Sequence, residues 1–243
     1  MTGPAAGVLP AADGIRVVGV DGDDTLWHGE QRFAHAETDF LELIRRHGGE
    51  ADPAALLQVE RRNLDRYGYG VKSFTLSMVE AAIELTEARV TAPEILALIR
   101  SGQAMLEAPV EILGGAVGAL ERLARSGREL LLITKGDLFD QESKVLRSGL
   151  QELFAAVEVV SEKDERTYRR ILRRHSHEPE EFLMIGNSLR SDVVPVLRIG
   201  GSAVHVPYSV TWAHEHDAEV PGGSAGRFAA VTSLAEVPPL LGV

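Results

Sequence analysis

A short β-branched segment, Ile15 to Val20, ends directly at the polar segment Asp21 to Thr25. The abrupt change is typical of a buried strand that runs into a polar turn. Buried strands of this kind belong to parallel sheets, since helices cover both faces of such a sheet. In an open parallel sheet, ligands bind outside the carboxyl ends of the strands. The segment therefore favours an α/β fold with functional groups at that edge.

The segment from about His35 to Glu107 shows a different pattern, in which apolar residues recur at helical spacing and no strand is convincing. Pro53 and Pro93 stand where the first turn of a helix tolerates proline, and Asp52 and Thr91 precede them at or near capping positions. These signals predict an all-helical insert after the first strand.

Helix and strand alternate again after Gly114, and the strands are apolar. This alternation predicts a doubly wound, Rossmann-like parallel sheet. We expect a flexible N-terminal tail at residues 1–14, an α/β core at 15–30 and 110–243, and the inserted all-helical domain at 31–109. The further strands are predicted at Glu129 to Ile133, Val157 to Val160, Phe182 to Ile185, Ala203 to Val206 and Phe228 to Val231.

Composition narrows the kinds of function. A formal net charge of -11 repels nucleic-acid backbones and anionic membrane surfaces. The absence of cysteine excludes disulfides, thiolate zinc sites and a thiol nucleophile, and it favours the reducing cytoplasm. Met1 to Gly14 lacks the pattern of a signal peptide, and no segment reaches the roughly 20 apolar residues of a membrane helix. We expect a cytoplasmic protein that acts on a small molecule, without nucleic-acid or membrane partners; monomer and homodimer stay equally open.

The predicted strands deliver a specific set of side chains to their carboxyl ends. The set combines carboxylates, a hydroxyl, lysines and an amide, which together suit a divalent cation and a phosphate group. Mg²⁺ prefers oxygen ligands, usually one or two carboxylates completed by water and substrate phosphate. In strand order, these residues are Asp21 and Asp23, then Thr134 and Lys135, then Lys163, and finally Asn187 and Asp192.

These segments resemble the haloacid dehalogenase superfamily, whose four motifs appear here in order. The resemblance covers about residues 15 to 28 and 112 to 206, and the helical insert corresponds in position and class to a cap domain of that family, which is expected to close over the site as a lid. The four segments are Asp21-Gly22-Asp23-Asp24-Thr25-Leu26, Thr134 after Leu130-Leu131-Leu132-Ile133, Lys163 before a helix, and Gly186-Asn187-Ser188-Leu189-Arg190-Ser191-Asp192.

The resemblance implies a magnesium-dependent phosphoric monoester hydrolase that acts on a small phosphorylated metabolite. Asp21 is then the nucleophile that forms an aspartyl phosphate. Asp23 is the general acid and base, and its main-chain carbonyl is a further ligand of Mg²⁺ beside the Asp21 carboxylate. Thr134, Lys135 and Lys163 are expected to hold phosphate oxygens, with Lys163 supplying fixed positive charge.

One position departs from the family pattern. The family commonly has Asp directly after the glycine of the fourth motif, where this chain has Asn187. An amide oxygen can ligate Mg²⁺ but brings no charge, so Asn187, Asp192 or both are expected as metal ligands. Asp23 bears on the reaction class, because the dehalogenases and the phosphonate-cleaving enzymes of this superfamily lack an Asp two residues after the nucleophile. It therefore favours phosphate esters.

Two other functions remain open at this point. A phosphomutase would use the same aspartyl phosphate but return the group to its substrate, and a non-catalytic phosphate-binding protein would explain Asn187 by lost metal binding. His214 and His216 have the spacing of a metal pair, but a surface loop is the simpler interpretation. Trp27 and His28, just past the acidic turn, are predicted to line the cleft.

Overall fold

The computed structural model describes residues 9–208 and 218–243. The described parts of the chain form two compact units. Of the described residues, one unit comprises 9–28, 110–135, 145–208 and 218–243, and the other comprises Gly29–Pro109 and Gly136–Lys144. The predicted core included residues 136–144, which instead group with the helical unit.

The first unit contains a parallel sheet that is six-stranded over the described residues. The strand order β3-β2-β1-β4-β5-β6 is that of a doubly wound fold, and every neighbouring pair is parallel. The predicted fold class is confirmed. The chain order reverses between β1 and β4, which is where such sheets bind ligands. The strands are β1 Val17–Val20, β2 Glu129–Lys135, β3 Ala156–Val160, β4 Phe182–Gly186, β5 Ser202–His205 and β6 Phe228–Ala230.

Alternate residues of the strands face opposite sides of the sheet and pack under different helices. Val18 and Leu132 belong to the cluster that includes Leu120, whereas Val17 and Ile133 join the cluster of Tyr168. Gly19 is required by close packing, since a Cβ there would lie 2.7 Å from the Phe182 ring. The helices of the α/β part are α5 Ala116–Arg125, α7 Glu165–Arg174, α8 Val194–Ile199 and α9 Val237–Leu240, whereas α6 Leu138–Ser148 begins in the helical unit and ends in the α/β unit.

The helical unit has its own core, in which Phe40, Ile44, Leu56 and Met78 are buried. Residues 29–109 are all described and contain no strand, as predicted. Asp52 accepts a hydrogen bond from the Ala54 amide at 2.9 Å, and Thr91 forms a capping box with Glu94. Its helices in sequence order are α1 Glu30–Arg46, α2 Pro53–Tyr67, α3 Val71–Leu85 and α4 Ala92–Glu107.

Contacts near α3 explain why residues 136–144 belong with the helical unit. Lys72 Nζ lies 2.9 Å from Asp137 Oδ1, and its ammonium group lies 5.3 Å from the centre of the Phe139 ring. A Cβ at Gly70 would lie 3.3 Å from the Asp137 amide nitrogen. The start of α6 is therefore tied to α3 by an ion pair and by close backbone approach.

The predicted N-terminal tail is wrong for residues 9–14. Leu9 and Ala12 are buried, and the Leu9 amide donates to the Leu240 carbonyl at 2.8 Å. A short 3-10 turn spans Ala12–Gly14. The buried apolar side chains and this hydrogen bond hold the segment beside α9. Within the described residues, the helices fall short of the length and apolar character needed to cross a membrane.

Candidate active site

The acidic turn after β1 is held by its own backbone and by the neighbouring strand. The Asp21 amide donates to Ile185 of β4 at 2.9 Å, and the Leu26 amide donates to Gly22 at 2.8 Å. Asp24 has a φ of 62°, a left-handed conformation that Asp tolerates better than most residues. The turn thereby fixes Asp21 at the carboxyl end of β1, where its side chain is only 9% exposed.

Lys163 connects two carboxylates at the strand ends. Its Nζ lies 2.5 Å from Asp21 Oδ1 and 2.7 Å from Asp192 Oδ1. The side chains of Lys163 and Asp192 are 2% and 1% exposed, so all three groups are almost withdrawn from water. Buried charges of this kind depend on their partners, because desolvation of each ion is costly. The sequence prediction that Lys163 reaches the site is therefore matched by a direct contact with Asp21.

This arrangement changes the pKa values of its members. Burial raises the pKa of Asp21 to about 7, against the lowering effect of Lys163 and with a further contribution from Asp192. Burial alone would lower the pKa of Lys163, but Asp192 and Asp21 outweigh it and hold that pKa above its ordinary value. The cluster contains two acids and one cation, so it can accept a further positive charge.

The fourth motif places Asn187 and Asp192 differently. The Thr25 hydroxyl lies 3.2 Å from Asp21 Oδ2 and 3.5 Å from Asn187 Oδ1, so both oxygens face the same group. Asp192 has both oxygens engaged, Oδ1 by Lys163 and Oδ2 by the Ser188 amide at 3.0 Å. For a cation beside Asp21, the Asn187 amide oxygen is therefore a more available ligand than Asp192, whose two oxygens already accept hydrogen bonds.

The oxygen atoms that could bind Mg²⁺ here belong to different chemical groups. Across the part of the chain that the structure describes, no group of three His, Cys, Asp or Glu side chains is arranged to hold a metal ion. The set that the family resemblance implies, made of the Asp21 carboxylate, the Asp23 main-chain carbonyl and the Asn187 amide oxygen, would instead contain all-oxygen donors with a single carboxylate. Such a set fits Mg²⁺, which keeps several waters and takes few protein ligands.

Thr134 and Lys135 end β2 beside this turn. Thr134 is buried, and a Cβ at Gly22 would lie 3.3 Å from its hydroxyl oxygen, so the hydroxyl approaches the glycine of the acidic turn. Lys135 Nζ lies 3.2 Å from the Ser191 hydroxyl and 3.5 Å from a Glu162 carboxylate oxygen. The structure thus brings both residues to the same end of the sheet as Asp21.

The Asp23 side chain is held by a hydrogen bond from Trp27. The Trp27 indole N–H donates to Asp23 Oδ1 at 2.9 Å, and Trp27 is only 1% exposed. Trp27, which the sequence predicts to line the cleft, is thus buried and contacts the acidic turn through its indole N–H. His28 lies beside it in sequence and contacts Tyr208, with 2.5 Å between the ring nitrogen Nδ1 and the hydroxyl oxygen.

His205 was missed by sequence reasoning. It ends β5 in register with Gly186 of β4, and its Nε2–H donates to the Asn187 carbonyl at 2.9 Å. Tyr168 similarly donates its hydroxyl to the Ser191 carbonyl at 3.0 Å. The position of His205 at the end of a predicted strand was an available signal, because neighbouring parallel strands end at the same edge. His214 and His216 lie outside the described residues.

Comparison with known proteins identifies the family. Residues 15–198 match the family model for haloacid dehalogenase-like hydrolases. The chain belongs to this family. The match spans both the motifs and the helical insert, so the family predicted from the four motifs is confirmed, and the chain is a hydrolase of the haloacid dehalogenase superfamily.

Individual relatives agree on this family. The chain is 45% identical to a haloacid dehalogenase-like family hydrolase from Xanthomonas campestris, with 93% and 89% of the two chains covered and a TM-score of 0.82. It is 26% identical to glyceraldehyde 3-phosphate phosphatase from Pyrococcus furiosus, over 80% of this chain and 81% of the relative. A 2-haloacid dehalogenase from Pseudomonas syringae shares the fold at 21% identity, with 94% and 98% covered and a TM-score of 0.63.

Proposed function

We propose that this haloacid dehalogenase-like hydrolase is a magnesium-dependent phosphoric monoester hydrolase that acts through an aspartyl phosphate on Asp21. One observation carries the proposal: the Asp21 carboxylate is buried against the Lys163 ammonium group at 2.5 Å, in the same turn as a second carboxylate, Asp23. A nucleophile, a fixed cation and an acid–base group are the parts that phosphoryl transfer requires.

In the first half-reaction, a carboxylate oxygen of Asp21 attacks phosphorus while the bond from phosphorus to the ester oxygen breaks. Asp23 gives its proton to that departing oxygen, so the leaving group departs as an alcohol. Lys163 and Thr134 offer donors to the negative charge on the phosphoryl oxygens. The product of this step is the aspartyl phosphate and a deprotonated Asp23.

In the second half-reaction, water attacks the phosphorus of the aspartyl phosphate. Asp23 takes one proton from that water, and the bond between Asp21 oxygen and phosphorus breaks. Inorganic phosphate leaves, Asp21 returns as a carboxylate and Asp23 is again protonated. Each group ends in its starting state, which is the balance that turnover requires.

Magnesium would be held by the Asp21 carboxylate, the Asp23 main-chain carbonyl and the Asn187 amide oxygen. When bound, the ion neutralises negative charge on the carboxylate and on the transferring phosphoryl group. His205 fixes the main chain of Asn187 through the 2.9 Å hydrogen bond to its carbonyl. Asp192, with both oxygens engaged, acts in this proposal on Lys163 and not on the metal.

Two further facts support a small phosphorylated metabolite as the substrate class. The Pyrococcus furiosus relative is named as a phosphatase of glyceraldehyde 3-phosphate, a small phosphorylated metabolite. The net charge of -11 disfavours a polyanionic macromolecule as substrate. We therefore propose a small phosphorylated metabolite, and a cytoplasmic location goes with that substrate class.

The test compares phosphate release from p-nitrophenyl phosphate by wild type and by Asp21→Asn, each with Mg²⁺ and with EDTA. We expect magnesium-dependent turnover in wild type and a loss of about 10⁴-fold or more in the variant, as for other removed nucleophiles. Asp65→Asn, an exposed carboxylate on α2, is the matched control and should keep full activity. Equal turnover in Asp21→Asn would contradict the proposal, and turnover that requires a sugar bisphosphate would indicate a phosphomutase.

A further inference from the structure

We propose that Trp27 is a positioning residue for catalysis, whose indole N–H orients the Asp23 carboxylate for proton transfer to the leaving group. The inference rests on the proposed function and extends it to a residue outside the four motifs' reacting groups. It depends on one contact, the 2.9 Å hydrogen bond from Trp27 Nε1 to Asp23 Oδ1.

The indole ring is fixed on several sides. Trp27 is 1% exposed, and a Cβ at Gly22 would lie 2.9 Å from its ring atom Cζ2. Its backbone is paired with Ile112 in an antiparallel bridge and with Asp23 in a parallel one, and its carbonyl accepts from the Asp24 amide at 2.7 Å. A ring held in this way presents its N–H from one direction only.

The chemistry of the indole group fixes the direction of the Trp27–Asp23 hydrogen bond. The indole N–H is a donor and never an acceptor, so Asp23 Oδ1 must be an acceptor in this bond. In a protonated carboxyl group the carbonyl oxygen is the better acceptor, so this hydrogen bond favours Oδ2 as the oxygen that carries the proton. Trp27 thus selects which oxygen faces the ester, and it removes rotational freedom that the short Asp side chain would otherwise keep.

Burial alone does not explain this contact. A buried indole N–H needs some acceptor, and most side-chain hydrogen bonds in proteins go to the backbone or to water. Here it takes the one partly exposed carboxylate of the acidic turn, the side chain that the proposed mechanism uses as acid and base. If Trp27 only packs the core, its replacement should lower kcat/KM equally for all esters. If it positions Asp23, the replacement should lower kcat/KM mainly for esters whose leaving group needs a proton.

The experiment measures kcat/KM for Trp27→Phe with a series of phosphate monoesters. This quantity reports on steps up to aspartyl-phosphate formation, where the leaving group needs a proton. Alkyl phosphates should lose about 10²-fold, the lower range for general acid catalysis, whereas dinitrophenyl phosphate, whose leaving group needs no proton, should change by less than about 3-fold. In the Asp23→Asn background, Trp27→Phe should add little further loss, since the two act as one unit.

A tryptophan analogue with sulfur in place of the indole N–H, introduced at position 27, keeps the ring size and removes only the donor. It should show the same leaving-group dependence even if Trp27→Phe folds poorly. An equal loss for all esters, or no loss for alkyl esters with the analogue, would overturn the inference while leaving Asp21-dependent turnover intact. Absence of any Asp21-dependent turnover in wild type would instead overturn the proposed function, and this inference with it.

Discussion

The α/β unit contains two clusters of opposite charges that resemble each other in composition and differ in setting. The strand-end cluster is Asp21, Lys163 and Asp192, at the carboxyl ends of the strands. The second, here called the α7 cluster, lies where the end of α7 meets β2 and β3. Its members are Glu129, Glu158, Arg174, His175 and His177, joined by contacts of 2.7 to 3.2 Å.

Exposure separates the two clusters. In the strand-end cluster no side chain is more than 9% exposed, whereas Arg174 is 60% and Glu129 31% exposed. Water can therefore screen the α7 cluster, and its pairs contribute modestly to stability. In the strand-end cluster two buried acids share one cation, an arrangement that is costly for folding unless a ligand compensates it. Unbalanced buried charge therefore distinguishes the carboxyl ends of the strands from the α7 cluster.

The largest effect should follow from Lys163→Met. Two buried carboxylates would lose their shared cation, which should cost on the order of 3–5 kcal/mol of unfolding free energy. Loss of a fixed charge at the phosphoryl oxygens should also lower kcat/KM by about 10²–10³-fold. Urea unfolding at pH 8 and steady-state kinetics measure the two effects.

Lys72→Met is the matched control, because its side chain is 51% exposed and its ion pair with Asp137 is on the surface. We expect a change within about 0.5 kcal/mol for that variant. If Lys163→Met were no less stable than Lys72→Met, the buried carboxylates would not depend on Lys163, and the contrast between the two clusters would fail.

The next effect concerns Asp21 and pH. Its pKa is raised from 3.8 to about 7 in the folded protein, so the folded state binds that proton more tightly than the unfolded state. Stability is then lost as pH rises from about 4 to about 7. Asp21→Asn removes this loss, and in EDTA it should be more stable than wild type at pH 8 by on the order of a few kcal/mol. The difference should shrink towards pH 4.

Thermal unfolding across that pH range measures the difference, and Mg²⁺ provides the counter-test. Added Mg²⁺ should raise the melting temperature of wild type but not of Asp21→Asn, since a ligand that binds only the folded state stabilises it. If Asp21→Asn were less stable than wild type at pH 8 in EDTA, the ionised Asp21 carboxylate would stabilise the folded state instead of destabilising it. The strand-end cluster would then be an ordinary buried ion pair.

The sequence predicts the fold class and the strand positions because these depend on local periodicity. Strands predicted at Phe182 to Ile185 and Ala203 to Val206 are observed at Phe182–Gly186 and Ser202–His205. The docking of residues 9–14 could not be predicted from local periodicity, because the contact of Leu9 with Leu240 joins distant parts of the sequence.

Site residues divide in the same way. Asp21, Thr134 and Lys163 reach one edge because each lies at or just after the carboxyl end of a strand, which the pattern of apolar runs already indicates. The Trp27–Asp23 hydrogen bond instead depends on the shape of the acidic turn, including the left-handed conformation next to it, and no spacing rule specifies it. The engagement of both Asp192 oxygens likewise depends on the π-helical turn Leu189–Val193, which periodicity does not distinguish from an α-helix.

The smallest effect should come from Glu158→Gln in the α7 cluster. Glu158 is buried, but its partner Arg174 remains hydrated, so removal of the charge should cost about 1 kcal/mol, with part of that difference lost at high salt. Activity should be unchanged, because nothing in this cluster touches the strand-end residues. Urea unfolding at low and high salt, together with kcat/KM, measures both expectations. A loss of activity comparable to that of Lys163→Met would mean that the two clusters are coupled through the sheet, and that exposure alone does not separate structural charges from functional ones.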